Sequence, residues 1–367
     1  MPTFRAIGLM SGTSMDGVDV ALIETDGEEI TTFGPASFQP YDESDRAMLR
    51  EALDRATKLT DRNDRPAPLD EAEQLVTECH RRAVEAFLAE HGVARRTVDI
   101  IGFHGQTVFH DPARGLTVQL GCGKALAHAL GIPVVYDLRY ADVAAGGEGA
   151  PLAPVYHGAL AKKAGDVPAV FLNVGGVANV TFIAEDGALL AFDTGPGNAL
   201  IDDWMLRHSG AARDENGETA RSGAPIATKT LKALMADPYF ELAPPKSLDR
   251  NHFDIAALDG LSVADGARTL VDFTVESIAA ASRHFPQEPK RWVVCGGGRH
   301  NAFLMERLGE RIAEPVVAAE ELGFDGDAIE AQAFAFMAVR RLLMMPISYP
   351  GTTGVSEPLT GGIIAQP

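Results

Sequence analysis

The chain is poor in cysteine, short of basic residues and without any long apolar run. Its three cysteines, Cys79, Cys122 and Cys295, are scattered through 367 residues. An odd, dispersed set builds no disulfide framework and no CxxC metal site. The thiols are expected as packed side chains in a reducing compartment. Lys and Arg number 32 against 51 Asp and Glu, a formal charge of −19. That balance disfavours nucleic acid and anionic membranes as partners. A phosphorylated ligand would be held locally, by backbone N–H groups, a metal ion or a few placed cations. No stretch reaches the roughly 18 apolar residues of a membrane span. The opening "MPTFRAIGLM" has no basic segment followed by a long apolar one, so no signal peptide is expected. Together these absences point to a cytoplasmic protein.

Glycine, by contrast, is plentiful: 37 residues, in a chain that is 46% hydrophobic. The length suggests two domains, at about one per 150 residues. Residues 4–24 read as a hairpin, a buried strand at Ile7–Met10 and an alternating one at Val18–Ile23. The loop between them, "SGTSMDG", has more hydrogen-bonding capacity than a turn needs. Gly12 and Gly17 have the spacing of a GxxxxGK[ST] phosphate loop, but Val18 and Asp19 stand where Lys and Ser/Thr would be. A strand follows instead of a helix, so no helix dipole faces a phosphate. A nest remains, in which the N–H groups and hydroxyls of Gly12, Thr13, Ser14 and Met15 hold phosphate oxygens. Asp16 then makes sense as a Mg²⁺ contact, direct or through water. A plain turn explains the same residues.

The second half repeats the theme. "AVFLNVGGVANVTFIAEDGALLAFDTGPGN" (169–198) reads as a strand, a Gly175-Gly176 loop, a strand carrying Asn179, a turn at Asp186-Gly187, and a third strand ending at Asp193. "RWVVCGGG" runs a strand into Gly296, Gly297 and Gly298, where a nucleotide can approach the backbone. Two related halves around a nucleotide cleft are expected. Helices are expected at 70–91 and 327–345, and strands at 98–110 and 132–139. "GGEGAPLAP" (146–154) reads as a hinge, and the polar segment 206–255 as an insertion of loops and short helices.

"GLMSGTSMDGVDVAL", "GFHGQTVFH", "DLRYADVAAGGEGAPLAP", "FLNVGGVANVTF", "FDTGPGNALIDDW" and "CGGGRHNAFLM" closely resemble the anhydro-N-acetylmuramic acid kinases, in order and over nearly the whole length. The resemblance implies an α/β, two-domain actin-like ATPase (ribonuclease H-like) fold with a central nucleotide and sugar cleft. It implies conversion of 1,6-anhydro-N-acetylmuramic acid, ATP and water to N-acetylmuramic acid 6-phosphate and ADP, in bacterial cell-wall recycling. It also implies a homodimer. Domain I is expected over 1–140 plus 340–367, and domain II over 141–339. One departure is Glu148 in "GGEGAPL", where the family commonly has Gln.

The resemblance makes Asp193 the general base that activates water for attack on the anomeric carbon, while the freed O6 takes the γ-phosphoryl group. A turn-capping Asp is the alternative. The phosphate set is Gly12, Thr13, Ser14, Met15, Asp16, Gly17, Val18, Asp19, Gly175, Gly176, Asn179 and Gly296–Gly298. The sugar set is His104, Arg139, Asn198 and Glu330. Glu330 also has capping-box spacing from Asp327. Arg139 suits a lactyl carboxylate, bound in a two-pronged way; a salt bridge to Asp137 or Asp142 competes with that role. Gln106 follows the same buried strand as His104, and His110 has less support; Lys246 and Arg250 read first as a solvated surface loop, with substrate contact as the second reading. A kinase of another sugar and a nucleotide-dependent sensor without turnover are the competing functions.

Overall fold

The computed structural model describes residues 2–12, 14–225, 228–250 and 252–367. Thr13, one of the candidate phosphate residues, therefore lies outside the described residues. The chain divides into two compact units, Met1–Lys163 with Ala328–Pro367, and Ala164–Asp327. These boundaries differ from those expected at 140 and 339. The reason is the helix Ile329–Leu342, whose buried face packs on the sheet of the first unit, so it cannot belong to the second.

The first unit carries β1 (Phe4–Ser11), β2 (Gly17–Thr25), β3 (Ile30–Pro40), β4 (Ile100–Asp111), β5 (Leu116–Leu120) and β6 (Val134–Tyr136). The second carries β7 (Ala169–Val174), β8 (Val177–Ile183), β9 (Leu189–Pro196), β10 (Trp292–Cys295) and β11 (Val316–Ala318). β12 (Ile363–Ala365) returns to the first, along β6. The first sheet has the order β12-β6-β4-β1-β2-β3, with β5 on β4; the second has β11-β10-β7-β8-β9. In both, three antiparallel strands come first, and two further strands then lie parallel on the other side of the first strand. The repeated hairpin in the sequence is thus a repeated topology.

In the first unit the sheet must admit a helix at very short range. A methyl group on Gly8 would fall 1.7 Å from the Ala331 carbonyl oxygen, and one on Gly102 would fall 2.0 Å from that of Phe334. Only glycine permits that approach. The other face packs against the helices Glu43–Ala56 and Leu69–Glu90, whose Leu49, Val76, Val84 and Phe87 are fully buried with Ile7, Leu9 and Phe103. The four-residue spacing of Cys79, Ala83 and Phe87 is that of one helix face.

In the second unit Trp204, Trp292, Phe182 and Phe273 anchor the core. The polar stretch 206–255 does hold short helices. It also contributes buried Tyr239, Phe240 and Phe253 to that core.

Candidate active site

The opening hairpin forms as expected, with Met10 opposite Asp19. Its loop is braced from beneath. The Tyr41 hydroxyl lies 3.0 Å from Ser11 Oγ, Ser11 Oγ donates to Gln106 Oε1 at 2.6 Å, and Gln106 Nε2 donates to the Gly12 carbonyl at 2.9 Å. Met15 N–H donates to the same carbonyl, with Met15 in the left-handed region at φ 52°. A non-glycine residue held there marks a loop fixed by its surroundings. Ser14 and Asp16 stay exposed on this platform, the Ser14 hydroxyl donating to Asp16 Oδ1 at 2.8 Å. Gly17 is buried against Phe38 and the Gln39 carbonyl. The Val18 side chain lies in the core, so Val18 has only backbone to offer a phosphate.

Below the loop, the pairing of β1 with β4 slips between Leu9 and Ser11. The extra residue falls on β4 at His104-Gly105, and bulges of this kind re-aim side chains. Buried His104 faces the Ser11 carbonyl through Nδ1 at 3.1 Å. A carbonyl only accepts, so Nδ1 carries the proton and Nε2 the lone pair. Arg139 donates to that Nε2 from Nε and Nη2, at 3.2 and 3.1 Å, and to the Gly149 carbonyl from Nη1 at 2.9 Å. Burial and then the Arg139 charge hold His104 well below the ordinary histidine range, so the ring is neutral.

The anticipated salt bridge of Arg139 to Asp137 or Asp142 is not what forms. Asp137 pairs with Arg62 at 2.7 Å, and the Asp142 carboxylate takes the Gly149 N–H and the Thr353 hydroxyl. Burial lowers the Arg139 pKa, and the charges of Glu330 and Asp142 oppose that shift. Glu330 is exposed in the first turn of its helix. The capping box expected from Asp327 is absent: Ala328 occupies the N-cap without a side-chain bond, and Asp327 is engaged by Arg299. The expected hinge at 146–154 also changes character. Its glycines lie inside the first unit, tied by Glu148 N–H to the Thr353 carbonyl and by the Glu148 carbonyl to His110 Nε2.

In the second unit a polar row crosses the sheet. Asn173 pairs with Asn179, and Asn179 with Asp193. Directly opposite residues share one face of a sheet. Asp193 does not end its strand, because β9 continues to Pro196. The pairing shifts there instead, Asn179 opposing Asp193 while Ala178 opposes Gly195. The extra residue is Thr194, so a bulge lies beside the candidate base, as one lies beside His104 in the first unit. Nor is Asp193 a turn cap. Its Oδ2 accepts from Leu248 N–H at 2.8 Å, its own N–H donates to the Lys246 carbonyl at 3.0 Å, and its carbonyl accepts from the Tyr239 hydroxyl at 2.6 Å.

The Gly175-Gly176 loop is closed by "GPGN". Asn198 N–H donates to the Gly175 carbonyl, and the N–H groups of Gly197 and Ala199 to that of Gly176. The Asn198 amide goes to the Val174 carbonyl at 3.1 Å, where it holds the loop. A side chain on Gly197 would strike the Gly175 carbonyl at 2.3 Å. Gly296, at φ 74°, crowds Asn173 Oδ1, and Gly298 crowds Val174, while Gly297 opens onto free space. The three glycine loops of this unit thus converge on Asn173-Val174.

Lys246 is not on a solvated surface. It is 9% exposed, its Nζ donating to the Tyr239 carbonyl at 3.0 Å and lying 4.4 Å from the Tyr239 ring centroid. Arg250 does sit outside, paired with Asp203. Cys79 and Cys295 are buried, and none of the three cysteines, all of them among the described residues, is in a disulfide. Sequence reasoning missed Asn173, Tyr239, Leu248 and Arg299. Asn173 stood within "NVGGVAN", and Tyr239 in an aromatic pair within a polar stretch. Leu248 acts through its amide, which no side-chain pattern marks.

Among the described residues no cluster of His, Cys, Asp or Glu is assembled for a metal, and no helix is long and apolar enough to cross a membrane. Mg²⁺ on a polyphosphate keeps several waters and needs one or two carboxylates. An exposed Asp16 on a braced loop fits that requirement.

Two units that share a five-strand order, each with a glycine-bearing loop at the tip of its first hairpin, define the two-domain actin-like ATPase fold. The chain is similar in fold to the (R)-2-hydroxyglutaryl-CoA dehydratase component A of Acidaminococcus fermentans (TM-score 0.50, 12% identity, covering 93% of this chain and 99% of that one). The family model described as anhydro-N-acetylmuramic acid kinase matches residues 4–367. The chain is 53% identical over 364 residues to the anhydro-N-acetylmuramic acid kinase of Rhodopseudomonas palustris (strain ATCC BAA-98 / CGA009). It is 52% identical over 364 residues to that of Nitrobacter winogradskyi, and both matches cover 99% of each chain. The chain belongs to the anhydro-N-acetylmuramic acid kinase family.

Proposed function

We propose that this chain opens 1,6-anhydro-N-acetylmuramic acid with water and phosphorylates the freed O6 from ATP, with Asp193 as general base. The observation that carries the assignment is the Asp193 carboxylate held through Oδ2 by the Leu248 amide, on a bulged strand in the polar row with Asn173 and Asn179. An oriented carboxylate takes a proton from water as the water oxygen bonds to the anomeric carbon. The C1–O6 bond breaks, and O6 bonds to the γ-phosphorus as ADP leaves. No second carboxylate is needed, because the phosphoryl group takes the place of a proton on the leaving oxygen.

The exposed Ser14–Asp16 loop and the Gly175-Gly176 and Gly296–Gly298 loops are assigned to the phosphates and the nucleotide. Asp16 would hold Mg²⁺, which offsets charge on the β- and γ-phosphates. Arg139 is assigned to the lactyl carboxylate. Its three hydrogen bonds go to neutral acceptors, which orients the guanidinium without cancelling its charge. His104 orients Arg139, and Glu330 is assigned to sugar hydroxyls. A cytoplasmic homodimer completes the reading; analytical ultracentrifugation giving a monomer at working concentration would remove the dimer.

The test is ADP release with Mg-ATP and 1,6-anhydro-N-acetylmuramic acid, for wild type beside Asp193→Asn. Expected is sugar-dependent turnover, with ¹⁸O from labelled water at C1 of the product, and a loss of about 10³-fold or more in the variant. Turnover only with an unbridged sugar would make it a kinase of a different substrate. Binding of both ligands without turnover would make it a sensor.

A further inference from the structure

Asp193 is gripped at three polar groups by one segment of the second unit. The Tyr239 hydroxyl, the Lys246 carbonyl and the Leu248 N–H take its carbonyl, its N–H and its Oδ2. What holds that segment together is a buried cation. Lys246 Nζ donates to the Tyr239 carbonyl and lies over the Tyr239 ring, with the Phe192 ring centroid 5.9 Å away. One ammonium therefore ties the residue that anchors the Asp193 carbonyl to the residue that anchors its N–H. Two positions further on, the Leu248 amide sets the carboxylate.

We propose that Lys246 is a positioning residue for the Asp193 base, its ammonium locking Tyr239 and the Lys246–Leu248 backbone so that one carboxylate oxygen is fixed toward the Leu248 amide. The inference rests on the assignment of Asp193 as base. A cation over an aromatic face is worth more when desolvated, and a charged donor makes the stronger hydrogen bond. Neutral lysine would keep the contact and lose most of the lock.

The lock is therefore sensitive to pH. Burial and then Arg283 pull Lys246 down to about 8, against the attraction of Glu241. The charged and titratable groups around it are Arg283 and His284 from the turn Ala281–His284, Glu241 and Tyr239 from the turn Pro238–Glu241, and Asp193 from β9. Arg283 is itself paired with Glu241 at 3.6 Å. Below about pH 8 the ammonium is charged and the lock is closed. Above it the proton leaves and kcat falls.

The experiment measures kcat and KM from about pH 6 to 10, with thermal melts, for wild type, Lys246→Met, Lys246→Arg, Tyr239→Phe and Asp193→Asn. Misplacing a base by about 1 Å costs on the order of 100-fold. Lys246→Met is expected to lower kcat about 10–100-fold, keep both KM values within about 2-fold, and lose the alkaline fall near pH 8. Lys246→Arg is expected to restore most of kcat and move the alkaline fall upward, because guanidinium stays charged. Tyr239→Phe loses only one hydroxyl, so it serves if Lys246→Met fails to fold; about a 10-fold loss in kcat at unchanged KM is expected. Full kcat in Lys246→Met and Tyr239→Phe beside an inactive Asp193→Asn would overturn the lock and leave the base. A raised KM for ATP or sugar in Lys246→Met would overturn it in favour of ligand contact. An active Asp193→Asn would remove the base assignment and the lock with it.

Discussion

Arg139 shows how a residue's partners decide its role. A guanidinium answered by a carboxylate is a structural ion pair. Here it is answered by a neutral imidazole and a carbonyl, with Glu330 and Asp142 acting only through their fields. Replacement by Lys keeps the charge and loses the fork. Arg139→Lys is expected to raise KM for the anhydro sugar about 10–100-fold and leave KM for ATP within about 2-fold. Equal effects on both substrates would show that Arg139 supports the site as a whole and does not read the sugar's carboxylate. The residue types at His104, Arg139 and Asp193 already pointed to chemistry in the sequence. The bonds that aim them come from Ser11, Gly149 and Leu248, through backbone atoms that any residue could supply, and so left no mark on it.

At the scale of elements, glycine separates two meanings. Gly102 lets the Ile329–Leu342 helix approach β4, and an added methyl would meet the Phe334 carbonyl at 2.0 Å. Backbone on both sides leaves nothing flexible to yield. Gly102→Ala is expected to cost at least about 1–3 kcal/mol, read as a lower Tm. Gly309, inside the helix Ala302–Arg311, has nothing within 4 Å of an added methyl. Gly309→Ala is expected to raise stability by about 0.5–1 kcal/mol, since only helix propensity changes. Equal melts for the two variants would refute the close-packing account. The same scale explains Asp193. A strand pattern followed by "DTGPGN" reads as a strand that stops, yet the ladder continues past a bulge at Thr194. Bulges depend on the partner strand, which a local pattern does not contain.

At the scale of the molecule, acid stability follows from where the buried histidines lie. His80 and His157 are buried in the first unit, and burial pulls them to about 4 and about 3. The unfolded chain binds these protons near pH 6.5, and the folded chain does not until much lower. Stability is therefore full above about pH 6.5 and falls as pH drops toward 4, by up to about 1.4 kcal/mol per pH unit for each ring. Thermal melts at pH 7 and pH 5 should show the loss, and His80→Phe should make it shallower. A Tm independent of pH across that interval would contradict the burial of both rings.

The sequence by itself determined the repeated hairpins, the glycine loops and the helix over 70–91, and it nominated Asp193. Those are local patterns, and resemblance to the kinase family lies in the same short segments. The tertiary structure alone decided that the Ile329–Leu342 helix belongs with the first sheet, that Asp327 serves Arg299 and not a helix cap, and that Lys246 is buried against Tyr239 and Phe192. Each depends on contacts between residues far apart in the chain, where one partner's chemistry has no periodicity or spacing that announces the other.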